Sequence, residues 1–121
     1  MEAMRQYHAD TELARQRGDL LAAAQEAEAR FREAQARRAA TIEQHKLAEE
    51  FDAALTAAMR AAYAAQRAAI GPRGYEDRIF RRKAKAKPAV HAITAEAEHL
   101  LTLRETHRLN GIPAEPLEPA V

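Results

Sequence analysis

Apolar side chains recur every three or four residues along the first half of the chain, among charged and small residues. Positions with this spacing lie on one face of an α-helix, so the pattern predicts helix across residues 1–70. The region is dominated by Ala, Glu, Gln, Arg and Leu, which are strong helix formers, and it contains no Pro. The large apolar side chains predicted to pack against other helices are Leu20, Phe31, Leu47, Phe51, Leu55, Met59 and Tyr63.

Gly18 and Asp19 mark one position where this helix could end and restart. Gly is common just after the last residue of a helix, and Asp is a favourable N-cap. Together they predict a short helix over about 3–17 and a longer one from Leu20. A continuous helix is the alternative, because one internal Gly costs only about 1 kcal/mol.

A second candidate break lies at residues 41–44, whose sequence Thr-Ile-Glu-Gln matches a capping box. Because no Gly or Pro lies nearby, we favour an unbroken helix from Leu20 to Ile70. Such a helix would be about 75 Å long, whereas a compact globule of this chain length is only about 35 Å across. The sequence therefore favours an elongated protein.

The apolar positions do not keep a single register along this helix. Arg17 and Arg38 fall in the heptad seam, and Ile42 is the only large apolar side chain across residues 35–46. A regular two-stranded coiled coil is disfavoured for this reason, and an irregular bundle is favoured. Residues 52–70 carry large apolar side chains on one face and Ala on another, which predicts two packing neighbours. Helix propensity alone is the other explanation for the Ala face.

Gly71 and Pro72 should end the long helix, because Gly takes the left-handed cap and Pro cannot continue the hydrogen-bond ladder. A short basic helix over about 75–87 and a return helix over 89–110 are predicted to follow. The Pro-spaced segment 111–121 is expected to be extended, and it either docks in a groove on another subunit or frays. The apolar anchors for docking would be Ile112, Leu117 and Val121.

These elements predict an all-α fold. It is an elongated helical hairpin or irregular bundle with one very long Ala-rich helix, a short basic helix, a return helix and an extended C-terminal tail. A chain of 121 residues is expected to form one domain. Its parts are a long helical segment (1–70), a basic corner with a short helix (71–88), the return helix (89–110) and the tail (111–121).

The composition argues against an enzyme. With 31 Ala, three Phe, three Tyr and no Trp, the apolar content consists of small side chains that build thin helical layers rather than a deep pocket. Cys and Ser are both absent, which removes the two commonest covalent nucleophiles and excludes disulfides and thiolate metal sites. We therefore predict a non-enzymatic protein with no catalytic residues and no cofactor.

The histidines do not form a metal-binding pattern. His91, His99 and His107 are eight residues apart, which on one helix separates neighbours by about 12 Å and rotates them by about 80°. They cannot share one ion, and the chain has no HxxH or HxxxH pair. Structural or surface roles are therefore predicted for them, and no metal site.

Positive charge is concentrated in one short stretch. Residues 71–90 carry seven basic and two acidic side chains, whereas residues 1–70 and 91–121 have net charges of −1 and −3. These cations could contact the phosphates of DNA or RNA without reading sequence, contact an acidic partner, or face solvent. No helix-turn-helix pattern, zinc finger or Gly-rich phosphate loop accompanies them. The basic side chains are Arg73, Arg78, Arg81, Arg82, Lys83, Lys85 and Lys87.

The favoured function is a structural or assembly component of a larger protein complex, a homo-oligomer that contributes helices to a bundle and its tail to a neighbour. Small helical adaptor, scaffolding and internal virion proteins of tailed phages are similar in architecture and composition. The alternative is a nucleic-acid-binding accessory protein that uses residues 73–87. The chain has neither a signal-peptide pattern nor an apolar stretch that could span a membrane. We expect it in the cytoplasm where it is made, or in a virion if it belongs to a phage.

Overall fold

The computed structural model describes residues 1–111, and this range forms five α-helices and no β-strand. The helices pack as a bundle around the third of them, which confirms the predicted all-α class. The elements are α1 (Glu2–Arg15), α2 (Arg17–Ala36), α3 (Thr41–Ile70), a 3-10 turn (Pro72–Tyr75), α4 (Arg78–Lys85), α5 (Pro88–Thr106) and a π turn (His107–Gly111). The predicted docking residues Ile112, Leu117 and Val121 lie outside the described range.

The predicted unbroken helix over 20–70 is wrong, because the chain reverses direction after α2. Arg38 adopts the left-handed conformation, with φ of 54°. Its N–H donates to the Gln35 carbonyl at 3.1 Å, and the N–H of Ala39 donates to the Ala34 carbonyl at 2.9 Å. This pair of bonds is a Schellman motif, which ends a helix by satisfying its last carbonyls. The sequence did not reveal it because Arg occupies the left-handed position, where Gly is usual.

The capping box predicted around Thr41 lies at the start of α3 but does not form. The N-cap is Ala40, which has no side-chain oxygen, and Thr41 is the first helical residue. An ion pair between Arg37 and Glu43 closes the turn instead. Helices α2 and α3 therefore form an antiparallel hairpin, and the 30 residues of α3 span about 45 Å.

The first break lies two residues before the predicted position at Gly18. Helix α1 ends at Arg15, and Gln16, with φ of −85° and ψ of −5°, joins it to α2. Gly18 lies inside α2 and does not take the left-handed conformation. Because Gln16 stays close to helical geometry, α1 and α2 follow one another along α3, and both pack on it.

Helix α3 is the central element of the bundle, in contact with α1, α2 and α5. In the stretch 52–70, α1 is one neighbour, because its Asp10 pairs with Arg67, and α5 is another, because its Thr94 accepts a hydrogen bond from Gln66. Every helix within residues 1–111 is too short or too polar to cross a bilayer.

The main core cluster includes the seven predicted packing residues. Three of them are buried, namely Phe31, Phe51 and Leu55, and four are partly buried, namely Leu20, Leu47, Met59 and Tyr63. The fully buried alanines of α3 are Ala48, Ala58, Ala61, Ala62 and Ala64.

The corner after α3 places the basic helix. Gly71 ends α3 with φ of 98°, and Asp77 caps α4 by accepting the N–H of Phe80 at 2.9 Å. Phe80 packs on a second, smaller core cluster formed by Ile70, Ala84 and Val90. This cluster fixes one side of α4 against the ends of α3 and α5, so the opposite side of α4 faces solvent.

Candidate functional site

Two of the seven predicted contact residues in the basic segment are part of the fold. The guanidinium of Arg73 lies 4.6 Å from the ring centroid of Phe80 and pairs with Asp77 at 3.3 Å. Arg81 is partly buried, and its Nη1 donates to the Gly74 carbonyl at 2.8 Å. These contacts tie both side chains to the corner, while the Arg73 side chain stays 69 % exposed.

The other basic side chains of the segment form an exposed cationic surface, which we call the basic face. Arg78, Arg82 and Lys85 are four and three residues apart, so they form a stripe along α4. Ile79 lies beside this stripe and is 69 % exposed. Within residues 1–111 these cations form no ion pair, so their charge is available to an anionic partner. The basic face consists of Arg78, Arg82, Lys83, Lys85 and Lys87.

An open groove runs between α2 and α5, with α3 as its floor. Helices α2 and α5 both pack on α3, yet no Cα atom of one lies within 8 Å of a Cα atom of the other. At one end, Arg17 reaches across to Glu96 with an N to O distance of 3.5 Å. The adjoining half of the groove has a volume of about 360 Å³. Its apolar lining consists of Leu21, Ala24, Phe51, Leu55, Leu100 and Leu103.

The α2–α5 groove continues past Phe51 and Leu103 to the π turn. This second half has a volume of about 220 Å³ and ends at His107 and Gly111. Leu103, which is shared by both halves, is 38 % exposed. The first half is lined mainly by apolar side chains, whereas Phe51 and Leu103 are the large apolar residues of the second. An apolar concavity with a polar rim is typical of a surface that binds another protein segment.

His107 is buried at the π-turn end of the groove, with 5 % of its surface exposed. Its ring centroid lies 5.4 Å from that of Phe31 and 4.6 Å from that of Phe51. Its Nε2 lies 2.8 Å from the carbonyl oxygen of Ala48; because a carbonyl can only accept, Nε2 is the donor. Within residues 1–111 no group bonds to its Nδ1 atom. A Cβ on Gly111 would lie 2.6 Å from it, so only Gly fits there.

The other two histidines of α5 are exposed to solvent. His91 and His99 lie on the surface of the helix, and His99 is on the rim of the α2–α5 groove. No group of three or more His, Cys, Asp or Glu side chains that could hold a metal ion occurs in the described part of the chain.

Asp10 ties α1 to the end of α3 and to the 3-10 turn. Nε and Nη2 of Arg67 donate to its carboxylate at 2.8 and 3.0 Å, and the hydroxyl of Tyr75 donates to the same carboxylate. Burial alone would raise the pKa of Asp10, but the hydrogen bonds from Arg67 and Tyr75 outweigh it and lower the pKa. Burial, followed by the hydrogen bond to Asp10, raises the pKa of Tyr75. No local sequence pattern indicates this cluster, because its partners are 57 and 65 positions apart.

Comparison of the chain with protein-family models, with curated proteins and with solved structures gives no match. The basic face and the α2–α5 groove are therefore the features on which a functional assignment depends.

Proposed function

We propose that this protein is a non-enzymatic assembly component that binds a protein segment in the α2–α5 groove. The observation that carries the proposal is the apolar lining of the larger half of the groove, with Leu21 on the α2 wall and the partly exposed Leu103 on the α5 wall. A segment in this groove would contact α2, α3 and α5 at once and would complete a layer of the bundle. Small adaptor and scaffolding proteins, such as internal virion proteins of tailed phages, have roles of this kind.

Self-association is the form of assembly that we propose. Phe31 is the only large side chain within residues 1–111 that is fully buried, so the core of a single chain is small. A second copy that covers the groove would add the partly exposed side chains of Leu21 and Leu103 to this core. Because the copies are identical, the contact would repeat in each of them and give a homo-oligomer.

The substitution Leu103→Asp tests the proposal. We expect the wild-type protein to form an oligomer and the variant to have the mass of one chain, 13.5 kDa. A carboxylate on the groove wall would be desolvated by any occupant, whereas the partly exposed position tolerates it in the free chain. Size-exclusion chromatography with light scattering measures the mass, and circular dichroism checks that the helix content is unchanged.

Leu109→Asp is the matched control for Leu103→Asp. Leu109 is 79 % exposed and does not line the groove, so this variant should associate like the wild type. If Leu103→Asp also keeps the wild-type mass, or if the wild-type protein has the mass of one chain at all concentrations, assembly through the groove is wrong.

A second candidate function, sequence-independent binding of DNA or RNA, is favoured by the basic face. Its five cations lie within ten residues, extend into solvent and form no ion pair within residues 1–111. Phosphate contacts by Lys and Arg release counterions, so such binding weakens steeply as salt is added. Arg73 and Arg81 were also predicted as contact residues, but both side chains bond to the corner.

Replacing Arg78, Arg82, Lys83 and Lys85 together by Ala should weaken this binding strongly and remove most of its salt dependence. For the wild type and duplex DNA, five phosphate contacts would give a slope of log K against log salt of about −4 to −5, and the variant should have a slope close to −1. Fluorescence anisotropy of a labelled duplex at several salt concentrations measures both slopes.

The control for the basic-face variant removes the same charge elsewhere. Arg5, Arg15, Arg30 and Arg60 are exposed on other helices, and their replacement by Ala lowers the net charge equally. Equal weakening by both variants would show that binding follows net charge alone, and would contradict a nucleic-acid site on α4.

A further inference from the structure

We propose that a pocket at the corner between α1, α3 and α4 binds a phosphate group, either as inorganic phosphate or as the end of a small organic ligand. The pocket has a volume of about 190 Å³. No residue that lines it also lines the α2–α5 groove or belongs to the basic face, so the inference is independent of both candidate functions. The residues that line this phosphate pocket are Gln6, Arg67, Ile70, Gly74, Tyr75 and Arg81.

Arg81 gives the phosphate pocket a positive charge that no described residue neutralises. The side chain is partly buried, and its Nη1 donates to the Gly74 carbonyl at 2.8 Å. That carbonyl is uncharged, and Arg81 forms no ion pair within residues 1–111. Removing a charge from water is unfavourable unless a counter-charge compensates for it. An anion in the pocket would supply that counter-charge.

Two carboxylates bond to residues of the pocket lining, and each already has a cation of its own. Asp10 accepts two hydrogen bonds from Arg67, at 2.8 and 3.0 Å. Glu2 accepts a hydrogen bond from Gln6 at 3.4 Å and lies 3.7 Å from Arg5. Neither carboxylate therefore offsets the remaining positive charge of the pocket.

Two exposed cations of α4 add to this charge at the edge of the phosphate pocket. Arg78 and Lys85 are three residues before and four residues after Arg81, so they are its neighbours on the helix surface. Neither forms an ion pair within the described part of the chain. Cations grouped in this way raise the local concentration of anions, and salt screens the effect.

A phosphate group matches the donors and the size of the pocket. The planar guanidinium of Arg81 has five N–H donors, of which the bond to Gly74 uses one, and this geometry suits phosphate oxygens. A phosphate monoester carries a charge of about −1.5 to −2 at neutral pH, more than a single carboxylate. A water molecule takes up about 30 Å³ of the liquid, so the pocket has room for about six. A phosphate group fits this space, whereas a whole nucleotide would extend beyond it.

Titration of the isotope-labelled full chain with inorganic phosphate tests the inference by NMR. Sodium chloride keeps the ionic strength constant, so shifts that follow ionic strength alone are removed. We expect saturable shifts of the amide signals of Gly74 and Tyr75 and of the Nε–H signal of Arg81. The substitution Arg81→Gln should weaken the affinity by about 10–100-fold, because it removes charge-assisted hydrogen bonds to the phosphate.

Arg82→Gln is the matched control for Arg81→Gln. It removes the same charge from the adjacent position of α4, but Arg82 is exposed on the basic face and does not line the phosphate pocket. This variant should bind phosphate with nearly the affinity of the wild type. Equal weakening by both substitutions would show that phosphate follows the general charge of α4, and would overturn the inference.

Gln6→Glu tests the pocket without removing a contact of the corner. Gln6 is exposed on α1, so the fold tolerates the change. The new carboxylate would repel phosphate and compete for Arg81, and the saturable shifts should be lost. Gln35→Glu makes the same change of charge at an exposed position of α2 and should leave binding unaltered. Phosphate affinity of Gln6→Glu equal to that of the wild type would contradict the site.

Two further probes identify the source of the phosphate group and its chemistry. Methyl phosphate that binds as tightly as inorganic phosphate would support the end of an organic ligand, and weaker binding would support the free ion. Acetate that binds as tightly as either would make the pocket a general carboxylate site and overturn the assignment to phosphate. The absence of saturable shifts at Gly74 and Tyr75 with both phosphate probes would overturn the inference altogether.

Discussion

Phe31→Ala is expected to lower the free energy of unfolding by about 3–5 kcal/mol, the range for removing a buried aromatic ring. Phe31 is the one large side chain within residues 1–111 that is completely buried. Its ring centroid lies 6.5 Å from that of Phe51 and 5.4 Å from that of His107. The cavity would therefore loosen α2, α3 and the π turn together. Single domains are stable by only about 5–15 kcal/mol, so much of the total would be lost.

Urea denaturation followed by circular dichroism measures the effect of Phe31→Ala. The control is Ile42→Ala, since Ile42 is 70 % exposed at the start of α3 and its loss should change stability by about 0.5 kcal/mol or less. A loss below about 1.5 kcal/mol for Phe31→Ala would be inconsistent with a tightly packed core at this position.

Asp10→Asn is expected to lower stability by about 1.5–3 kcal/mol at neutral pH, the range for hydrogen bonds to a charged group. The amide cannot accept the bidentate bond from Arg67 with the same strength, and it leaves that guanidinium without a counter-charge. The loss of stability should lie near the lower limit of this range, because the Arg67 side chain is 44 % exposed and solvent screens part of its attraction to Asp10.

The effect of Asp10→Asn should depend on pH in a defined direction. The pKa of Asp10 is lower in the folded chain than in the unfolded chain, so its contribution to stability is complete above about pH 4, the usual pKa range of Asp. The contribution is lost as the pH falls through the folded pKa, because the carboxylate then takes up a proton. The stability difference between wild type and Asp10→Asn should therefore shrink below about pH 4, as measured by urea denaturation across an acidic pH series.

Asp77→Asn is the matched control for Asp10→Asn. Asp77 caps α4 through the Phe80 N–H, and Asn caps helices equally well. Its ion pair with Arg73 lies at the surface, so the change should cost about 0.5 kcal/mol or less. A constant difference between wild type and Asp10→Asn at all pH values would mean that the Asp10 carboxylate does not stabilise the fold.

The positions of the helices could be predicted from the sequence, but the way they are connected could not. Helix periodicity and propensity are local properties, and they were sufficient for the helical content of residues 1–70 and for the basic helix. The reversal at Arg38 depends on a residue whose type does not indicate a left-handed conformation, and the unfavourable backbone is stabilised by packing of the hairpin that it creates. A local pattern contains no information about that packing.

The candidate surfaces, too, could be predicted from the sequence only in part. The seven cations of the basic segment were evident from the sequence. That two of them, Arg73 and Arg81, bond to the corner and the other five form the basic face is evident only from the contacts with Phe80, Asp77 and Gly74. The α2–α5 groove exists because both of its walls pack on α3 without meeting each other. Neither helix alone has a feature that indicates the gap.

The alanines at the centre of α3 also determine how the free energy of folding is distributed. A buried Leu or Met loses about 0.5–2 kcal/mol of side-chain rotamer entropy, but Ala has no rotamers to lose. Ala58, Ala61, Ala62 and Ala64 are completely buried, so this part of α3 is ordered with almost no side-chain entropy cost. The same residues bury little apolar area each, so most of the hydrophobic free energy of α3 comes from the larger side chains beside them, such as Phe51 and Leu55.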